Sequence, residues 1–249
     1  MFTFEPGPDL LRDRVILVTG AGDGIGRAVA HACAGSGATV ILLGRTQHKL
    51  ESLYDEIMQQ GWPEPIIHPV DLGTFTEQDS HALAMAVEQN CGRLDGIVHN
   101  AAILGSLTPI PLYKMALWDE VMHMNLKVPL LISRACIPLL RGAEDAAILF
   151  TSTDTREKSC AYWGAYGVSK AGLDALMYIL ADELENNTPI RVHGINPGAV
   201  RTRMRAVAYP GEDLNTLPTP EQVVPAYLYL LGGPARDWHG KLLHVQEPD

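Results

Sequence analysis

The chain has 249 residues, 47% of them hydrophobic and 19% charged, a composition that fits a globular protein with a sizeable core and excludes a disordered one. Its 29 acidic against 19 basic residues leave a formal net charge of -10, so neither nucleic acid nor an anionic membrane is expected as a partner. Four cysteines (Cys33, Cys91, Cys136, Cys160) form no CxxC pair and the nine histidines show no ligand spacing, so no metal is expected.

The amino end, MFTFEPGPDLLRDR, has no basic segment followed by an apolar core, and so reads as no secretory leader. The longest apolar runs are too short to span a bilayer, and a cytoplasmic location is expected. Residues 14–19 (RVILVT) read as a buried strand; the glycine-punctuated turn after it leads into a helix over RAVAHACAGSG. ATVILLG (38–44) is a second strand. The pattern then repeats: a helix over 47–60, strand EPIIHPV, a helix over 76–91, strand LDGIVHN, helices over 113–141 and strand AAILFTS. A long helix over 162–185, strand IRVHGIN, an irregular segment, a helix near 223–231 and strand KLLHV complete the chain. Strands alternating with helices predict an α/β fold, a doubly wound parallel sheet covered on both faces. YPGEDLNTLPTP, residues 209–220, is long for a connection in such a fold and reads as a functional flap.

TGAGDGIG, residues 19–26, falls between the first strand and the first helix, where an open parallel sheet binds its nucleotide. Gly20, Gly24 and Gly26, with Ile25 between the last two, let the backbone turn tightly and approach a pyrophosphate, and the following helix offers free amides that favour an anion. About 20 residues further on, a carboxylate would bind a ribose 2′-hydroxyl and an arginine a 2′-phosphate. Here the second strand ends in Gly44, Arg45 and Thr46, with no acidic residue from Ala38 to Leu50. NADP(H) is therefore expected in preference to NAD(H), which is still possible. Asp23, inside the glycine turn, runs against this by adding a negative charge near the nucleotide.

In AYWGAYGVSK, residues 161–170, a helix would put Tyr166 and Lys170 on one face, whereas Tyr162 would meet only Tyr166. Further pieces fall in order: Asp71 after the third strand, HNAA at 99–102 after the fourth, Asn125, Ser152 and Thr153 after the fifth, and NPGAVRT at 196–202. Over nearly its whole length the chain resembles the single-domain short-chain dehydrogenase/reductase family, and within it an uncharacterised bacterial oxidoreductase branch. The resemblance implies one NAD(P)-binding Rossmann-fold domain over 1–249, about seven strands, and a substrate flap about 199–220. It implies Tyr166 as general acid and base, Lys170 holding the nicotinamide ribose and lowering the tyrosine's pKa, and a hydroxyl from the end of the fifth strand polarising a carbonyl. It further implies a proton relay through water at Asn125, with Asp71, Leu72, Asn100 and Ala101 lining the cofactor. Pro197, Gly198 and Val200 would do so from the later turn, where Thr202 would meet the carboxamide.

Counting 13 residues back from Tyr166, where the family carries its serine, lands on Thr153, with Ser152 one position earlier; either hydroxyl could serve. Ala102 replaces a family glycine, which should make the backbone there less permissive. Tyr162 is expected to line the pocket or pack beside the helix start. TDTREKS (153–159) is charged, and Arg201, Arg203 and Arg205 fall near the substrate side; an acidic substrate and a solvated flap are both open readings. Small residues at Gly164, Ala165, Gly167, Ala171, Gly172 and Ala175 would let a neighbouring helix approach; in this family the corresponding helix commonly packs against a second subunit, so a homodimer or homotetramer is expected, with close packing within one chain as the competing explanation. The function expected is an NADPH-dependent carbonyl reductase, or the reverse alcohol dehydrogenase. A 3-oxoacyl thioester reductase of fatty-acid metabolism and a non-catalytic NADP-binding protein are the alternatives.

Overall fold

Val15–Thr19 (VILVT), buried at every position, forms the first strand, β1. The computed structural model describes residues 1–154, 160–235 and 238–246. After β1 come α1 (Gly24–Gly35), β2 (Thr39–Gly44), α2 (Gln47–Gln59), β3 (Ile66–Pro69), α3 (Glu77–Cys91) and β4 (Gly96–His99). Then follow α4 (Met115–Met122), α5 (Val128–Leu140), β5 (Ala146–Thr151), α6 (Gly164–Leu184), β6 (Ile190–Asn196), α7 (Arg203–Ala208), α8 (Pro220–Leu231) and β7 (Lys241–His244). The strands form one seven-stranded sheet in the order β3-β2-β1-β4-β5-β6-β7, parallel at every pairing. The expected doubly wound sheet is thus present. The chain reverses direction across the sheet between β1 and β4, which opens a crevice at the carboxyl ends of those strands.

Two apolar layers hold the sheet. One packs α1, α2 and α8 on one face through Val29, Cys33, Leu53, Ile57, Tyr227 and Leu231. The other packs α3, α5 and α6 on the opposite face through Leu83, Val87, Ile132, Cys136, Leu173 and Met177. Five fully buried strand residues in a row need apolar cover on both sides, which is why these strands read as unbroken apolar runs.

Several boundaries differ from the sequence reading, each for a local reason. Helix α1 begins at Gly24, three residues early, because the Asp23 carboxylate caps it by accepting the Gly24 N–H at 2.8 Å. Helix α6 begins at Gly164 because Tyr162 sits at φ 77, outside helical geometry. Helix α8 begins at Pro220, where Thr219 and Gln222 form a capping box. Between α4 and α5, residues His123–Lys127 form one π turn. Pro129 has no N–H to offer the carbonyl four residues back, that of Asn125, and the helix widens just ahead of it. The segment expected as an irregular flap holds α7 and a short 3-10 turn, Leu214–Thr216.

Candidate functional site

A cleft of about 600 Å³ opens at the carboxyl ends of the central strands. Its lining brings together Gly20, Asp23, Gly24, Ile25, Arg45, Asp71, Leu72, Asn100 and Ala101 from the nucleotide side. From the other side come Ser152, Thr153, Tyr166, Lys170, Pro197, Gly198, Val200 and Thr202. Gly26 and Asn125 lie behind this lining, both buried.

The glycine turn is shaped for a close visitor. A Cβ at Gly26 would stand 2.4 Å from the Gly20 carbonyl oxygen and 2.5 Å from Asn100 Nδ2, so only glycine fits there. Gly20 and Gly24 take φ of 71° and 52°, values that favour glycine. The Thr19 hydroxyl accepts the N–H groups of Asn100 and Ala101, each at 3.0 Å, and ties the end of β4 to the end of β1. Asp71 accepts the Gly73 N–H at 2.9 Å, holding the turn that presents Leu72. Ala102 brings no strain: among the described residues only Asp13 and Tyr162 combine positive φ with a side chain, so the expected loss of permissiveness costs nothing here.

Arg45 is exposed at the end of β2 and lines the cleft beside Thr46. The charge of Asp23, which counted against a phosphate, is matched by Lys49: its ammonium donates to the Asp23 carboxylate and holds that carboxyl below its usual range, with Arg203 adding to the effect. Lys49 was missed in the sequence because a lysine inside an amphipathic helix carries no signal until the helix is docked. These features fit an anionic dinucleotide: glycine where its backbone must approach, a helix N-terminus, and cations at the far end.

At the other end Tyr166 is 8% exposed and opens onto the cleft. Burial pushes its phenol up to about 12, and a hydrogen bond with the Thr153 hydroxyl works against that rise. Lys170, one helical turn on, donates from Nζ to the Thr151 carbonyl at 2.7 Å and stands 5.9 Å from the centre of the Tyr166 ring. Burial lowers its ammonium to about 8, with the Asp174 charge opposing. In this arrangement desolvation of the phenol is the largest influence on it. Ser152 is turned away from Tyr166 and donates to Asp174 instead.

Asn125 is fully engaged from the π turn. Its Oδ1 accepts the Ile103 N–H at 2.8 Å, and its Nδ2 donates to the Ile103 carbonyl at 2.9 Å and to Ser169 Oγ at 3.0 Å. Ser169 in turn donates to the Tyr166 carbonyl at 2.8 Å, so the loop after β4 is latched to α6.

On the flap side, the three arginines of the sequence reading separate. Arg205 makes paired hydrogen bonds to Glu212 at 2.6 and 2.7 Å and stacks 3.6 Å over the Tyr209 ring. Arg201 donates to the Asn215 and Leu217 carbonyls at 3.0 and 3.3 Å. Arg203 lines the cleft on the Asp23 side. Two of the three are thus engaged within the flap. The charged stretch 153–159 lies outside the described residues from 155 onward. Tyr162 is 57% exposed and does not line the cleft, standing beside the start of α6. Trp163, absent from the sequence reading, does line it: its ring lies 5.6 Å from Tyr166 and 5.8 Å from Tyr209.

Among the described residues no cluster of His, Cys, Asp and Glu could hold a metal ion, and no helix is long and apolar enough to cross a membrane. A family model described as short chain dehydrogenase matches residues 14–213. The chain is 40% identical over 243 residues to the uncharacterized oxidoreductase YciK of Escherichia coli K12, covering 98% of this chain and 96% of the relative. It superposes with a TM-score of 0.96 on a short chain dehydrogenase from Pseudomonas syringae, 47% identical, over 99% of this chain and 100% of the other. Another solved structure, a short chain dehydrogenase from Shigella flexneri 2a complexed with NADP, gives 0.93 at 40% identity, over 97% and 100% of the two chains. The chain belongs to the short chain dehydrogenase family of oxidoreductases.

Proposed function

We propose that the protein is an NADP(H)-dependent carbonyl reductase with Tyr166 as its proton donor. The observation that carries this reading is a phenol buried at the cleft wall, held by the Thr153 hydroxyl, with Lys170 on the same helix face. A bound nicotinamide supplies the hydride. A phenol pushed up to about 12 keeps its proton at neutral pH, which suits it to give that proton to the oxygen of a carbonyl as charge develops there. In this reading Thr153 polarises the same oxygen, and Lys170 and Asn100 hold the cofactor's ribose side. Asn125 fixes the loop and helix that carry these groups, and Pro129 leaves the Asn125 carbonyl without an α-helical donor, which supports its holding a relay water. The non-catalytic alternative leaves the buried acid without a purpose.

NADP(H) is the preferred cofactor in this reading. Arg45 forks onto a 2′-phosphate with Thr46 as a further donor, Lys49 offsets Asp23, and a relative solved with NADP supports it. The exposed face of α6, with Val168, Tyr178 and Ile179 at its surface, supports a homodimer or homotetramer, which light scattering reads directly.

The test is a panel of ketones and aldehydes followed by NADPH absorbance, beside Tyr166→Phe. Loss of the hydroxyl should lower kcat/KM by about 10²- to 10⁴-fold with NADPH still bound, and activity untouched by that change sinks the mechanism. Arg45→Asp should move preference towards NADH; an unmoved ratio removes the 2′-phosphate assignment.

A further inference from the structure

Several large apolar side chains near the cleft are left in water. Ile110 and Leu112, on a 3-10 turn after β4, are 61% and 72% exposed, and Val207 on α7 is 65% exposed, with Leu107 and Tyr209 also exposed. Val207 and Tyr209 belong to the site, and Ile110 adjoins it. Val207, Tyr209 and Trp163 line the cleft; the Tyr209 ring lies 5.8 Å from Trp163, which lies 5.6 Å from Tyr166. Ile110 packs on the next residue, its Cδ1 3.4 Å from where a Cβ of Gly164 would be. The loop between is pinned by the Thr108 N–H donating to the Tyr162 carbonyl at 3.1 Å. Contiguous apolar surface left in water at a cleft mouth marks a binding site.

We propose that this collar is a binding subsite for the hydrocarbon portion of an elongated, uncharged carbonyl substrate, whose reactive end reaches Tyr166 and whose tail lies across Ile110, Leu112 and Val207. The proposal rests on the carbonyl reductase reading. Three observations select this occupant. A cleft of about 600 Å³ is the size that holds one drug-sized molecule. A dinucleotide takes most of it, so a substrate of more than a few carbons must extend over the rim. Two of the flap's arginines are engaged, Arg205 with Glu212 and Arg201 with backbone carbonyls, and Arg203 lies on the Asp23 side of the cleft, which leaves Met204, Val207 and Tyr209 as the flap's apolar surface towards the substrate. A lipid surface is disfavoured by the net charge of -10, and a second copy seated on the rim would block the opening.

The experiment measures kcat/KM with NADPH for a homologous series of straight-chain methyl ketones and aldehydes, and for short keto acids. Efficiency should rise roughly threefold for each added CH₂, the share of a methylene moved out of water. The double variant Ile110→Asp/Leu112→Asp should flatten that slope to near one, with an unchanged NADPH dissociation constant reporting a folded cleft. Should the double variant fail to fold, Leu112→Asn, at the most exposed position, should still weaken the slope. A flat series in the unaltered protein, keto acids outrunning long ketones, or the same slope in the variants overturns the subsite while leaving the reductase reading intact. A variant whose mass by light scattering drops from dimer to monomer overturns it too, since the collar would then be an interface. If NADPH binds and no carbonyl of any length reacts, the reductase reading fails and the subsite with it.

Discussion

Ser152 and Thr153 are adjacent at the end of β5, and their hydroxyls go opposite ways. Successive side chains along extended backbone face opposite sides, so one residue reaches Asp174 in the interior and the other reaches Tyr166 at the cleft. The sequence left the pair unresolved because the choice depends on where extended backbone ends, which no spacing states. With the hydroxyl on the cleft side acting on the substrate oxygen, Thr153→Val should lower kcat/KM by about 10²-fold, in the range for removing one donor to a developing oxyanion, while Thr153→Ser should keep most of the activity. Ser152→Ala should act on stability instead: a buried carboxylate that loses a donor costs about 1–3 kcal/mol, read as a lower urea midpoint. Kinetics on the best ketone beside urea unfolding check both, and a reversal of the two effects would assign the catalytic hydroxyl to Ser152.

At the scale of elements, the turn after β6 shows what local patterns leave unread. NPGAVRT stood out as a motif and lines the cleft, but what holds it comes from the far end of the chain. Gln246 Nε2 donates to the Pro197 and Ala199 carbonyls, both at 2.7 Å, and a Cβ at Gly198, φ 72, would stand 2.6 Å from that side chain. The Asn196 side chain closes the turn from within by accepting the Gly198 N–H at 2.9 Å. Gln246→Ala removes two hydrogen bonds worth about 1 kcal/mol each, so the NADPH dissociation constant should rise roughly tenfold or more; titration by NADPH fluorescence measures it, and an unchanged constant would show that the turn holds itself. The strands, their parallel order and the glycine turn were readable because each is written in consecutive residues. The start of α6 was not, because a tyrosine in left-handed geometry gives no compositional warning. The small residues of α6 were read as room for a second subunit, yet two of them serve this chain: a Cβ at Gly164 would meet the Tyr113 ring, and one at Gly172 would meet Leu126, each at 3.0 Å.

For the whole molecule, the sheet encloses two histidines that burial keeps neutral. His99, at the end of β4, stacks on Phe150 at 4.9 Å and shares a 2.8 Å hydrogen bond with Ser133, with the charge of Lys170 nearby. His193, in β6, meets the Arg191 guanidinium at 3.2 Å, with His239 and Asp145 as the other charged or titratable neighbours. That guanidinium also binds the Leu230 and Ala235 carbonyls, and Arg14 joins it on Asp145, so the cluster ties β5, β6 and the end of α8 together. Burial lowers both imidazoles to about 3, from an ordinary 6.5. Below about 6.5 the unfolded chain therefore takes up protons that the folded chain refuses, and stability falls with falling pH by about 1.4 kcal/mol per unit for each histidine. The contribution is fully present above 6.5 and is lost progressively towards 3; His68, lowered by its own partial burial, acts in the same sense. Carboxylates add their share only below their ordinary range, so the interval just under 6.5 belongs to the histidines. Urea unfolding across that interval should show stability rising with pH, and His193→Gln, which can keep a side-chain contact to Arg191, should reduce the slope by about one proton. An unaltered slope in that variant would mean that water reaches His193 and that the strand ends it joins open before the rest of the sheet.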